Sequence, residues 1–262
     1  MRWLSTPLIL LQAFSSQSAQ AADKYFSLWF VEPSTISNET LNLKEGDFLQ
    51  KTRLLPLGLV EIESDALPGL EGKPALVSGT QFFELAGGNP FRPKQLASAV
   101  FCEVKPNAIV KSGLIVKDTY QLRYCLADAD RDGDFDSSFT WSTCYPDFPL
   151  MTVKIPKKTT ALSSLKYRKL DVKDVRDGPT VGIVYAGTAL INGKPNFYQA
   201  FGSGRALPLF GDKHDSKGDV QGQYESAGAA FTVLSIEGKQ AKLRNDRAME
   251  ARPFAMFSTG GC

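Results

Sequence analysis

The sequence predicts a mainly β protein, an antiparallel sandwich or barrel-like fold with at most one or two short helices. Two observations predict it. Short runs rich in aromatic and β-branched residues recur along the chain, separated by Gly, Pro and Asn turn residues. Apolar residues at sustained helical spacing are scarce.

The elements follow in order. Residues 24–31 are aromatic and β-branched, and residues 52–63 and 74–85 read as further strands divided by Pro68-Gly69 and Glu71-Gly72. Residues 93–101 are the first helix candidate, because Pro93 is tolerated in a first helical turn. Residues 120–126 and 139–144 alternate with period two, as half-buried strands do. Residues 160–166 are the second helix candidate. Asn192-Gly193 then marks a hairpin of the type that favours a primed turn. Glu237-Gly238 marks another, between residues 231–236 and 240–244.

The composition excludes several classes. Of 262 residues, 43% are hydrophobic and 22% charged, so the chain has enough apolar surface to fold and is not a disordered polymer. Thirty basic against 28 acidic residues leave +2, without the basic excess that nucleic-acid binding demands. No nucleic-acid partner is expected.

The first 21 residues read as a secretory signal peptide. Arg2 supplies a positive start, Leu4 to Phe14 an apolar stretch, and Ala19-Gln20-Ala21 a small-residue cleavage pattern. The apolar stretch is short of the ~20 residues that span a bilayer, and no later stretch reaches that length. The expected mature region is 22–262, secreted or periplasmic, forming one large β domain or two with a boundary near 150. Residues 126–149 there hold six acidic residues and one basic. Residues 151–176 hold eight basic and two acidic.

One segment carries specific chemistry: Asp128-Ala129-Asp130-Arg131-Asp132-Gly133-Asp134-Phe135-Asp136. Calcium takes six to eight oxygens, and carboxylates at alternating positions can surround one ion. Gly133 permits a sharp turn, and five unneutralised carboxylates in nine residues repel one another. The segment resembles the front nine residues of an EF-hand calcium loop and the loops of dockerin-type modules. That resemblance implies structural Ca2+ held by Asp128, Asp130, Asp132, Asp134 (through its carbonyl) and Asp136, with Phe135 as the apolar anchor. The twelfth position is Phe139 instead of Glu, and the flanks read as strands. The expectation is therefore a calcium loop in a β-hairpin, with a further ligand from Asp147 or elsewhere.

Four cysteines allow three pairings. Parity favours Cys125–Cys144 across this hairpin, with Tyr124 opposite Tyr145 and Leu126 opposite Thr143. Cys102–Cys262 would then tether the C-terminus. The competing pattern is Cys102–Cys125 with Cys144–Cys262. No spacing suits zinc.

Signals of catalysis are sparse. The single histidine, His214, lies in a polar stretch with Asp212, Asp215 and Asp219, and Gly202-Ser203-Gly204 lacks the spacing of a nucleophile elbow. Lys213 and Lys217 offset the aspartates, which argues against a second cation site. Trp29, Trp141 and Tyr198 could stack on sugars, but aromatic residues in strands more often fill the core. The basic residues Lys154, Lys157, Lys158, Lys166, Arg168, Lys169 and Lys173 read as a solvated face or an anion-docking surface. The reading is an exported calcium-binding β protein, non-catalytic, whose partner is a glycan or cell-surface ligand if it has one. The competing reading is a secreted glycan hydrolase using a carboxylate pair, with calcium supporting the fold.

Overall fold

The computed structural model describes residues 24–35, 38–65, 76–89, 92–105, 108–112, 118–143, 152–189, 193–202, 222–226 and 228–254. The expected leader, Asp147, Cys144, Cys262, His214 and Asp212 to Asp219 lie outside them. The strands are β1 (Lys24–Ser27), β2 (Trp29–Val31), β3 (Thr40–Lys44), β4 (Phe48–Pro56), β5 (Leu59–Ile62), β6 (Gln81–Asn89), β7 (Arg92–Lys94), β8 (Ala99–Glu103), β9 (Ala108–Ser112) and β10 (Asp118–Asp128). They continue with β11 (Asp134–Thr143), β12 (Thr152–Lys154), β13 (Thr160–Leu170), β14 (Thr180–Thr188), β15 (Pro195–Phe201), β16 (Gly222–Ser226), β17 (Ala229–Glu237), β18 (Gln240–Arg247) and β19 (Pro253–Phe254). Val172–Asp174 forms a single 3-10 turn capped by Asp171.

The mainly β prediction holds, and the architecture contains a closed barrel. Six antiparallel strands run β6-β5-β13-β11-β10-β8, and β8 pairs back with β6. Closure removes the free edges a flat sheet would expose. Strands β12, β1 and β7 extend the sheet from β6, and β9 extends it from β10. A five-stranded sheet runs β15-β14-β4-β2-β19, and a four-stranded sheet β16-β17-β18-β3. Strand β11 before residue 150 and β13 after it are barrel neighbours.

Alternation along the barrel strands makes two cores. Val60 and Ile62, Ala99 and Phe101, Tyr124 and Leu126, and Leu165 with Tyr167 point into the barrel around Phe82 and Phe135. Their sequence neighbours, among them Leu59, Phe83, Val100, Cys102, Cys125 and Ala127, point outward. They join a larger core with the other two sheets. Trp29 packs on Phe83 with ring centroids 4.9 Å apart, and Phe197 on Phe231 at 4.6 Å. Trp29 is thus core.

Neither helix candidate forms. Residues 93–101 span the end of β7 and the start of β8, whose two faces are buried in the two cores. Residues 160–166 begin β13 and pair with β11, and Ser164 there has φ 43°, which a right-handed helix cannot contain. Both hairpins form. β14 and β15 flank Gly193 at φ 64°, and Glu237 faces Gln240 across Gly238 at φ 59°.

The expected disulfide and register are both corrected. Cys125 bonds Cys102, its direct cross-strand partner on β8. On β11 it faces Phe139, with Tyr124 opposite Thr140 and Leu126 opposite Ser138. The physical reason lies in the turn and in a bulge. Positive φ at Arg131 (63°) and Gly133 (100°) reverses the chain about Asp132, earlier than the expected register requires. The β11–β13 register then shifts between Phe135 and Ser137. Phe135 faces the barrel, whereas Phe139, of the same parity, faces the outer core. The surplus residues of this irregularity lie on β13, around Ser164 at φ 43°, and the facing of β11 changes across it. The seemingly polar face of β10 is also buried: Arg123 donates from Nη1 to the carbonyls of Glu103 (2.7 Å) and Val104 (2.5 Å).

Candidate metal centre at the barrel rim

The acidic segment joins β10 to β11 at one end of the barrel. Its frame is a chain of carboxylate-to-backbone hydrogen bonds. Asp128 Oδ1 accepts from Arg131 N at 2.5 Å, and its Oδ2 from Gly133 N at 3.3 Å. Asp130 Oδ1 accepts from Asp132 N (3.3 Å), and Asp132 Oδ1 from Asp134 N (2.8 Å). Asp136 Oδ2 closes the loop by accepting from Ala129 N at 2.6 Å. Asp and Asn commonly build turns in this way. Here the turns coil the segment so that three of its carboxylates converge.

Three of the five predicted residues come together. Asp128, Asp130 and Asp136 each offer a carboxylate oxygen, and these oxygens lie within 4.8 Å of one another. Asp136 lies on β11 where its register with β13 shifts, between Phe135 and Ser137. Asp132 and Asp134 stand outside this group. Asp132 is engaged with the loop backbone, and Asp134 Oδ2 accepts from Ser164 Oγ at 3.1 Å. Phe135 is buried in the barrel, stacked on Tyr167 with centroids 4.5 Å apart and edge-on to Phe101 at 5.6 Å. It anchors the loop as expected of that position.

Tyr167 is a component the sequence reading missed. From β13 its Oη donates to Asp128 Oδ2 at 2.7 Å. Burial first, and then the bond to Asp128, push its phenol well above the usual tyrosine range, so it stays a donor. The available signal was the alternation of Leu165 and Tyr167 within a basic run, which marks a strand with one inward face.

Arg131 leaves the carboxylates altogether. It donates from Nε to Leu96 O (3.2 Å) and from Nη2 to Ser98 O (3.5 Å), and its Nη1 lies 3.7 Å from Glu84 Oε1. The one cation within the loop sequence therefore clips it to the β7–β8 connection and does not neutralise the group. A divalent cation suits what remains: an all-oxygen donor set carrying three formal negative charges. A carboxylate has about four lone-pair sites. Asp128 uses three and Asp136 one on the bonds above, so acceptor capacity is left over.

Comparison with family models, with curated proteins and with solved structures finds no match to this chain. The residues therefore carry the functional argument.

Two depressions lie on the barrel surface. One of about 380 Å³ is lined by Gln81, Glu103, Lys105, Arg176 and Asp177 among others. Its groups are engaged with one another or with the fold: Arg176 with Glu61 and Gly79 O, Lys105 with Asp177, Gln81 with Asp174 O, and Glu103 with Tyr124 N. The other, about 320 Å³, is lined by Tyr25, Glu84, Lys94, Ser98 and Arg131, with Glu84 its single carboxylate. Tyr198 lines a third, of about 620 Å³, with Lys44, Glu45 and Lys239, and Glu45 is its single carboxylate. Among the described residues no helix is long and apolar enough to cross a membrane.

Proposed function

We propose that the chain is an exported, non-catalytic β protein that binds calcium structurally at the rim of its barrel and serves in adhesion or ligand binding. The convergence of Asp128, Asp130 and Asp136 carries this reading. Asp128 and Asp136 belong to the two strands that bracket the loop, and Asp128 is tied to a third strand through Tyr167. An ion held there would bind the folded form and not the unfolded chain, and so stabilise the fold by mass action. The buried Cys102–Cys125 bond supports an oxidising compartment, where such bonds persist and calcium is plentiful.

The test is calorimetric titration of EDTA-treated protein with calcium. Heat of binding and a raised melting temperature are expected. Absence of both would overturn the metal assignment.

A further inference from the structure

Among the described residues, carboxylates pair with several arginines but with Lys105 and Lys239 alone of the lysines. Arg53 pairs with Glu32, Arg168 and Arg176 with Glu61, Arg244 with Asp246, and Arg247 with Glu225 and Glu250. The basic run after residue 150 is partly absorbed in the same way. Arg168 and Arg176 reach Glu61, and Lys166 stands opposite Asp134 in the strand register. Lys154, Lys157 and Lys158, like Lys169, are exposed, and no ion pair reaches them among the described residues.

Antiparallel pairing adds a fourth lysine from 130 positions earlier in the chain. Lys24 on β1 lies directly opposite Lys154 on β12, exposed and equally unpaired. Directly opposed residues of an antiparallel pair point to the same face with Cα atoms about 4.5–5.5 Å apart, and like charges so placed are destabilising. Lys157 and Lys158 follow Lys154 by three and four residues, within roughly 14 Å of extended chain. Lysine on an edge strand blunts strand-to-strand association. That accounts for Lys154 on the edge strand β12. It does not account for Lys24 on the inner strand β1, or for Lys157 and Lys158 beyond the strand end.

We propose that this end of the sheet, formed by Lys24, Lys154, Lys157 and Lys158, docks a linear anionic polysaccharide bearing sulfate or carboxylate groups. Four lysines brought together by strand register and chain proximity complement a flexible polyanion, whose charges can settle on each in turn. The large exposed apolar side chains of the described residues, Leu57 and Val77, lie on other elements. The patch thus works by charge and lacks the apolar insertion that holds a protein on a lipid surface. The assignment deepens the binding role proposed above and rests on it. It makes no use of the metal loop.

The test measures binding of the folded protein to a size-defined heparin oligosaccharide in EDTA, so that calcium bridging contributes nothing. Binding should weaken as salt rises. Changing the four lysines together to Gln should lower affinity at least about tenfold without lowering the melting temperature, which relief of the Lys24–Lys154 repulsion should if anything raise. Lys157→Gln with Lys158→Gln alone, outside any strand, should show a smaller loss and guards against a folding artefact. Changing Lys105 and Lys239 to Gln should leave affinity intact. Unchanged affinity in the fourfold variant would overturn the proposal. So would equal or tighter binding to anionic phospholipid vesicles or to duplex DNA. Asp130→Ala should not alter heparin binding, so failure of the metal assignment and failure of this one are separable.

Discussion

Tyr167 on β13 donates its phenolic proton to Asp128 on β10, across the 2.7 Å between Oη and Oδ2. The same ring stacks on Phe135, so the acidic loop and the barrel core meet in one side chain. Tyr167→Phe keeps the stacking and deletes the bond. A hydrogen bond to a charged acceptor at this half-buried position contributes about 1–2 kcal/mol. Thermal melts in EDTA should show a loss of that size. Calorimetry should show weaker calcium binding, because Asp128 loses the group that orients it.

Asp130 and Asp132 are two residues apart yet differ in role. Asp130 belongs to the converging group, whereas Asp132 accepts from the loop backbone outside it. Asp130→Ala should therefore reduce calcium affinity more than Asp132→Ala. Neither should lower the melting temperature in EDTA by more than about 1 kcal/mol equivalent, since both side chains are exposed. Equal losses of affinity would show that the loop rearranges to recruit Asp132.

The Cys102–Cys125 bond closes a sequence separation of 23 residues. In the chain-entropy account a loop of that size contributes about 3 kcal/mol. Replacing both cysteines with Ala should lower stability by about that much in denaturant titration. Non-reducing peptide mapping of the native protein should recover a peptide joining residues 102 and 125. Both sulfurs are buried, so reduction of the folded protein should be slow until denaturant is added.

Glu32 accepts from Arg53 through two bonds, at 2.8 and 3.0 Å. These bonds, assisted by the charges of Arg53 and Lys173, hold its carboxyl below the ordinary 4.5 against the opposing effect of burial. A depressed folded value means the unfolded chain binds the proton more readily. The stabilisation is therefore present above pH 4.5 and is lost as pH falls through the lowered value. Glu32→Gln should reduce the slope of melting temperature against pH in that acid range and leave the slope near neutrality unchanged.

Much of the fold is legible in local sequence. Turn chemistry at Asn192-Gly193 and Glu237-Gly238 predicts hairpins that form, because a turn is decided by the few residues within it. The helix candidates fail for a different reason. The apolar spacing of Ala161, Leu162 and Leu165 suits a helix as well as a strand, and pairing with β11 settles the choice. The parity argument for Cys125–Cys144 fails at the turn, since reversal about Asp132 sets a register that puts Cys125 opposite Phe139.

By itself the sequence determines that this protein is built of short antiparallel strands and that one turn concentrates carboxylates around Gly133. Period-two alternation and turn residues act over a few positions and can be read in one dimension. The tertiary structure alone decides that Cys125 meets Cys102, that Asp136 joins Asp128 and Asp130 while Asp132 does not, and that Lys24 stands opposite Lys154. Each of these depends on register between strands. Closure of the barrel and the packing of two cores set that register, through contacts between residues far apart in the chain.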